Sequence, residues 1–244
     1  PTGVLYNGDN ELIFPLIQEE FGSVFNLCFT SPPYNIGQDE SRNSSFFYNG
    51  NSKGRYKKYD KISDDLSNED YRMHQHKILR YMYDVLAEDG AIFYNHKHRI
   101  VHGVLDDRKN LIPFDILQEI TWKKHSMINF NGNFFVPNSE RIYIVSKGAW
   151  KPNRESLKLG DVWSIPNTDR NKHPASFPIQ LAVTVVCSAT SPGDIVLDPY
   201  AGSGTTAVAC EMSGRRWVCI ELSEEYCKMA SKRIEKEYEQ QKLF

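Results

Sequence analysis

Two stretches of the chain carry residue types that can do chemistry. The first is Thr30-Ser31-Pro32-Pro33-Tyr34-Asn35, at the end of the apolar run Val24-Phe25-Asn26-Leu27-Cys28-Phe29. A short apolar run of this kind reads as a buried strand. Neither proline has an N–H to donate, so the pair stops any hydrogen-bonded ladder, and Pro32 biases Ser31 towards extended backbone. The product is a stiff tetrapeptide that offers a hydroxyl, backbone carbonyls and an aromatic ring at a strand's carboxyl end, where α/β sheets bind ligands. A planar amine could donate to the Ser31 oxygen and the Pro32 carbonyl while its ring stacks on Tyr34. Taken alone, the stretch is equally a proline-rich turn after a strand.

The second stretch is Asp194-Ile195-Val196-Leu197-Asp198-Pro199-Tyr200-Ala201-Gly202-Ser203-Gly204-Thr205-Thr206, which reads as strand, glycine turn and helix start. Gly202 and Gly204 permit positive φ and close approach of a ligand to the backbone. On that reading a side chain at Gly204 blocks binding and leaves the fold intact. No lysine precedes Thr205-Thr206, which excludes a P-loop. The dinucleotide fingerprint fits poorly, since no third glycine follows at the helix. The next strand, Arg216-Trp217-Val218-Cys219-Ile220, ends in Glu221, 23 positions after Asp198. An acid at that remove meets ribose hydroxyls in nucleotide-binding βαβ units. The C-terminal third therefore reads as a nucleoside site without a phosphate cradle, for which S-adenosylmethionine is the natural candidate.

Ser31-Pro32-Pro33-Tyr34 followed by Tyr200-Ala201-Gly202-Ser203-Gly204 resembles the β-class S-adenosylmethionine-dependent DNA amino-methyltransferases. In that family a (Ser/Asn/Asp)-Pro-Pro-(Tyr/Phe) tetrapeptide precedes a Phe-x-Gly-x-Gly element; Tyr200 here replaces the commoner Phe. The resemblance runs from Gly8-Asp9 to the last helix. It implies a catalytic group of Ser31, Pro32, Pro33 and Tyr34. It also implies an S-adenosylmethionine site around Asp9, His173, Pro174, Asp198, Tyr200, Gly202, Ser203, Gly204, Thr205 and Glu221. Double-stranded DNA is the implied partner, with the target base flipped out of the duplex, in the setting of restriction–modification. A serine in first position leans towards cytosine N4, aspartate or asparagine towards adenine N6, and serine variants acting on adenine also occur. No Pro-Cys dipeptide is present, which counts against methylation at cytosine C5. The rival readings are a catalytically silent DNA-binding subunit, or a methyltransferase acting on RNA or on protein glutamine.

These residues need a scaffold, and the composition provides one. With 244 residues, 40% of them hydrophobic, the chain can bury a core. No apolar run approaches the 18 residues of a membrane span, and no signal peptide opens the chain. Five cysteines without a CxxC pair suggest reduced thiols and an intracellular setting, cytoplasm and nucleoid for a DNA enzyme. The net charge of −2 argues against indiscriminate nucleic-acid binding but allows a local basic surface.

Strand and helix patterns alternate, which predicts one α/β domain over residues 1–244: a Rossmann-like, mostly parallel twisted sheet with helices on both faces. Residues 1–122 form the catalytic half and 173–244 the cofactor half. Asp9 is at once a helix cap and, by the resemblance, a cofactor neighbour. Residues 36–66 lack periodicity, and Lys53, Arg55, Lys57, Lys58 and Lys61 alternate there with Tyr56 and Tyr59, which suits a DNA-clamping loop. Ser67 opens a helix that Asp89-Gly90 ends. Residues 91–95, 114–122 and 142–145 read as strands. His96 and His98 lack a cysteine or acid at ligand spacing, so no metal site is expected. Residues 123–172 are polar and basic and read as target-recognition segments, with Asn and Phe interleaved in 129–135. Their shortness implies a short site or help from a partner in a homodimer. The last helix reads as a cover for the cofactor half.

Overall fold

A computed structural model describes residues 1–35, 66–101, 104–125, 135, 137–148, 150–167 and 177–241. The basic stretch from Lys53 to Lys61, residues 129–134 and the His173-Pro174 pair lie outside the described residues. Among the described residues, the apolar runs pair into an eight-stranded sheet. Its order is β1 (Gly3–Asn7), β10 (Arg216–Glu221), β9 (Ile195–Asp198), β2 (Phe25–Thr30), β3 (Leu86–His96), β7 (Ser139–Ser146), β6 (Gln118–Lys123) and β8 (Val162–Ser164). β7 runs antiparallel to both its neighbours, and the other pairs are parallel. A separate ribbon joins β4 (Arg99–Val101) to β5 (Val104–Asp106).

Helices cover both faces, as the alternating pattern predicts. α3 (Ile179–Ala189), α4 (Thr205–Ser213) and α5 (Glu224–Gln241) lie on one side, where Leu181, Val185, Ala207 and Ala230 meet Leu27, Phe29, Val196 and Trp217. α1 (Asn10–Phe21) and α2 (Asn68–Val85) lie on the other, where Phe14, Ile78, Leu79 and Met82 meet Cys28, Ile92, Leu197 and Ile220. Each such side chain taken fully out of water contributes about 1.5–3 kcal/mol. Phe25 and Leu27 share a parity yet face opposite sides, because the pairing of β2 with β3 shifts register between them. Gly90 permits that irregularity: a Cβ there would lie 2.7 Å from the Phe25 carbonyl oxygen.

The elements differ from the sequence reading in three places. α2 stops at Val85, before Asp89-Gly90, since Leu86 already pairs with Phe25. β6 begins only at Gln118, because Phe114 stacks on Tyr83 of α2 with ring centroids 4.2 Å apart instead of entering the sheet. The described part of 147–172 is also scaffold. β8 forms the sheet edge, and Trp150, Trp163 and Ile165 are buried in the core. The Trp122 indole N–H donates to the Ile165 carbonyl at 2.9 Å, so this packing leaves no orphan donor there.

The carboxyl ends of β1, β10, β9, β2 and β3, and the start of the antiparallel β7, gather at one edge. Chain order reverses between β2 and β9, and ligands of open α/β sheets bind outside such a switch point. No helix among the described residues is long and apolar enough to cross a membrane.

Candidate active site

The two stretches that carry the chemistry meet at that seam. β2 and β9 are hydrogen-bonded neighbours, so Ser31 and Pro199 leave the sheet side by side. Asp198 fastens them together. Its Oδ1 accepts the Thr30 hydroxyl at 2.8 Å and the Tyr200 N–H at 3.1 Å, and its Oδ2 accepts the Thr206 hydroxyl at 2.5 Å. Asp198 is 1% exposed, and burial pushes its carboxyl up to about 6 despite those donors. It braces the turn from beneath.

The tetrapeptide is held from three sides. The Ser31 Oγ lies 2.9 Å from the Tyr34 hydroxyl, which donates to Glu140 Oε2 at 3.0 Å. Asn95, fully buried at the end of β3, donates from Nδ2 to Ser31 Oγ at 3.1 Å and to Glu140 Oε2 at 2.9 Å. Lys124, just past β6, forms an ion pair with Glu140 Oε1 and lies over the Trp122 ring, 4.7 Å from its centroid. Behind the prolines, the Tyr71 hydroxyl of α2 stands 2.6 Å from the Pro33 carbonyl and 2.9 Å from His96 Nε2. Burial drives His96 down to about 3, so its ring is neutral and packs against Tyr34, with centroids 4.8 Å apart. His98 meets the Tyr143 hydroxyl at 3.0 Å. Asn35 takes a left-handed conformation, φ 54°, and its Nδ2 donates to the Leu66 carbonyl at 2.9 Å. The chain on either side of residues 36–65 thus starts and returns at the same point, directly after Tyr34.

On the cofactor side, Gly202 and Gly204 have φ of 52° and 77°. The Gly202 N–H donates to Glu221 Oε2 at 2.7 Å, and the Ser223 N–H to Oε1 at 2.8 Å. Burial raises the Glu221 carboxyl above its ordinary value. Two bonds leave lone pairs on both oxygens for further donors. Arg233 of α5 latches the turn from behind, donating to the Ser203 carbonyl at 2.5 Å and to Ser203 Oγ at 2.7 Å. Gly204 has a packing role in addition to the one its sequence suggests. A Cβ there would lie 2.8 Å from the Ala230 Cβ, so the glycine admits helix α5, and a side chain would disturb the fold itself. Asp9 caps α1 by accepting the Glu11 N–H at 2.9 Å. Tyr200 replaces the commoner Phe with reason: its hydroxyl accepts from Gln75 Nε2 at 3.2 Å and lies 2.8 Å from His74 Nε2.

This donor set fits S-adenosylmethionine. Carboxylates at Glu221 and Asp9 suit ribose hydroxyls and a cationic ligand, and the guanidinium at the turn, Arg233, is spent on Ser203. None of these groups is arranged for a phosphate. Among the described residues no group of three or more His, Cys, Asp or Glu could hold a metal ion. The five cysteines are unpaired.

Asn95, Glu140, Lys124, Tyr71 and Arg233 were not foreseen as site residues. Asn95 had a usable signal, a polar residue closing the apolar run Ile92-Phe93-Tyr94. Glu140 had none, because only the antiparallel entry of β7 brings it to this edge.

Comparison with known proteins agrees with this geometry. The N6/N4 DNA methylase family model matches residues 25–232. The Type II methyltransferase M2.DpnII of Streptococcus pneumoniae is 30% identical over 88% of this chain and 84% of its own. DNA adenine methyltransferase YhdJ of Escherichia coli (strain K12) is 34% identical over 43% of this chain and 40% of its own. PvuII DNA methyltransferase (cytosine-N4-specific) superposes with a TM-score of 0.71 at 19% identity, covering 98% of this chain and 92% of that one. TTHA0409 of Thermus thermophilus, complexed with S-adenosyl-L-methionine, superposes with a TM-score of 0.65 at 24% identity, covering 96% and 93%. The chain belongs to the S-adenosylmethionine-dependent N6/N4 DNA amino-methylase family.

Proposed function

We propose that the protein methylates the exocyclic N4 amine of a cytosine flipped out of double-stranded DNA at a short specific site. S-adenosylmethionine, when bound, supplies an electrophilic sulfonium methyl group. Gly202 and Ser203 would lie against its amino-acid end together with His173 and Pro174, and Glu221 would meet the ribose. Ser31 Oγ and the Pro32 carbonyl accept the amine's hydrogens and aim its lone pair, and Tyr34 stacks on the base. Flipping costs a few kcal/mol of unstacking, which phosphate contacts and stacking must offset. Most of the rate gain then comes from alignment and electrostatics.

One observation carries the cytosine assignment: the first position of the tetrapeptide is a neutral serine, held by Asn95 and Tyr34 with acceptor capacity left on Oγ. A small hydroxyl accommodates an amine beside an acceptor ring nitrogen with more freedom than a carboxylate does. DNA methylated by the protein and digested to nucleosides should contain N4-methylcytosine on mass-spectrometric analysis. N6-methyladenine alone would overturn the base and keep the mechanism. That second reading is favoured by the likeness to YhdJ, an adenine enzyme by its name.

Lys53, Arg55, Lys57, Lys58 and Lys61 lie in the segment that begins directly after Tyr34, and we assign them to DNA phosphates. Replacing Lys57 and Lys58 together by alanine should weaken binding to all sequences and lower the salt slope by about 2 units. An unchanged slope would return the segment to ordinary solvated surface. Recognition of the site is assigned to the parts of 123–172 outside the sheet, alone or with a dimer partner.

A further inference from the structure

We infer that Glu140 is the terminal proton acceptor of the methyl transfer, acting on the target amine through Tyr34 and Ser31. The inference rests on the reading of Ser31 as the amine's acceptor and extends it to a residue on a distant strand.

The hydrogen bookkeeping of the buried network gives its direction. Glu140 is 4% exposed, and Lys124 and the Asn95 amide hold it as a carboxylate acceptor. The Asn95 Nδ2 must be the atom facing Glu140, since an amide oxygen at 2.9 Å from Oε2 would repel it. One of its hydrogens then goes to Glu140 Oε2 and the other to Ser31 Oγ, shared with Tyr34 Oη at 3.2 Å. The Tyr34 hydroxyl has one hydrogen, and Glu140 Oε2 takes it. At the 2.9 Å contact between the two hydroxyls, Ser31 is therefore the donor and Tyr34 the acceptor. Each hydroxyl hydrogen has an acceptor, and Ser31 Oγ, which accepts from Asn95, keeps one lone pair open. The chain Ser31 O–H to Tyr34 O–H to carboxylate polarises Ser31 and makes that lone pair more basic.

Methyl transfer leaves the target nitrogen with one proton too many. That proton passes to Ser31 Oγ, the serine proton to Tyr34 Oη, and the tyrosine proton to Glu140 Oε2. One N–H and two O–H bonds break, and three O–H bonds form. The cationic amine and the anionic carboxylate both end neutral. The charged and titratable groups facing Glu140 are Lys124, just past β6, and Tyr34, four residues past β2, and His96 of β3 lies behind the Tyr34 ring. Lys124 occupies Oε1, which leaves Oε2 as the oxygen that faces the relay.

The test is single-turnover methylation of DNA, with cofactor and DNA affinities measured alongside. Glu140→Gln should lose about 10²-fold in rate, with both affinities held within about twofold. Glu140→Asp should recover most of the loss. Tyr34→Phe keeps the ring but cuts the relay, so combining it with Glu140→Gln should cost no more than the larger single effect. A folded Glu140→Gln protein with an unaltered rate, a Glu140→Asp protein no faster than it, or losses that add with Tyr34→Phe, would overturn the relay. A wild-type protein that binds DNA and cofactor but methylates no base would instead overturn the function on which the relay rests.

Discussion

Ser31→Ala is expected to methylate DNA about 10²–10³-fold more slowly than the unaltered protein in single-turnover assays. That is the range in which one aligned polar group at a reacting centre contributes. The substitution removes the atom that accepts from the amine and leaves the Pro32 carbonyl and the Tyr34 ring in place. Cofactor affinity should not change, since Ser31 sits across the β2–β9 seam from the glycine turn. The expected loss therefore falls on the chemical step, with ground-state binding retained. A rate within tenfold of the unaltered protein would remove Ser31 from the reaction, and the silent-subunit reading would gain if neither protein methylates.

The second large effect is on stability. Asp198 titrates near 6 in the folded protein against an ordinary 3.8, chiefly because burial opposes its charge. A carboxyl that holds its proton more tightly when folded supports the fold fully below pH 3.8 and loses that support as pH rises to about 6. The difference is on the order of 3 kcal/mol. Asp198→Asn keeps an oxygen for Thr30 and the Tyr200 N–H but has no proton to lose. Urea midpoints should therefore show the variant gaining about 3 kcal/mol on the unaltered protein between about pH 4 and pH 7. Parallel curves would mean that the three donors around Asp198 offset the burial of its charge in full, leaving its carboxyl in the ordinary range.

How much of this was legible in the sequence follows from how local each feature is. The strand before Ser31, the Gly202–Gly204 turn and the acid ending β10 are patterns within a few residues, and all took the places expected of them in the sheet. The Ser67 and Asp9 caps were equally local. Features that depend on a second element were not readable. Gly204 looked replaceable without harm to the fold because nothing in its neighbourhood announces Ala230 of α5. Trp150 and Trp163 sit in a basic, turn-rich stretch whose composition masks two core residues. Glu140 reaches Tyr34 and Asn95 only because β7 runs against its neighbours, and strand direction is not written in the apolar pattern.

The hydrogen bond from Asn35 to Leu66 has a consequence for how such a protein can change over time. Where a chain leaves and re-enters a scaffold through one clasp, the length between the two points is nearly decoupled from the scaffold's stability. Doubling it adds only about 0.6 kcal/mol of closure entropy. The contents of residues 36–65 can then be lengthened, shortened or exchanged with those of a relative as a cassette, while Tyr34 and the seam below it stay where they are. Such an exchange touches two points that adjoin in space and requires no repacking of the core.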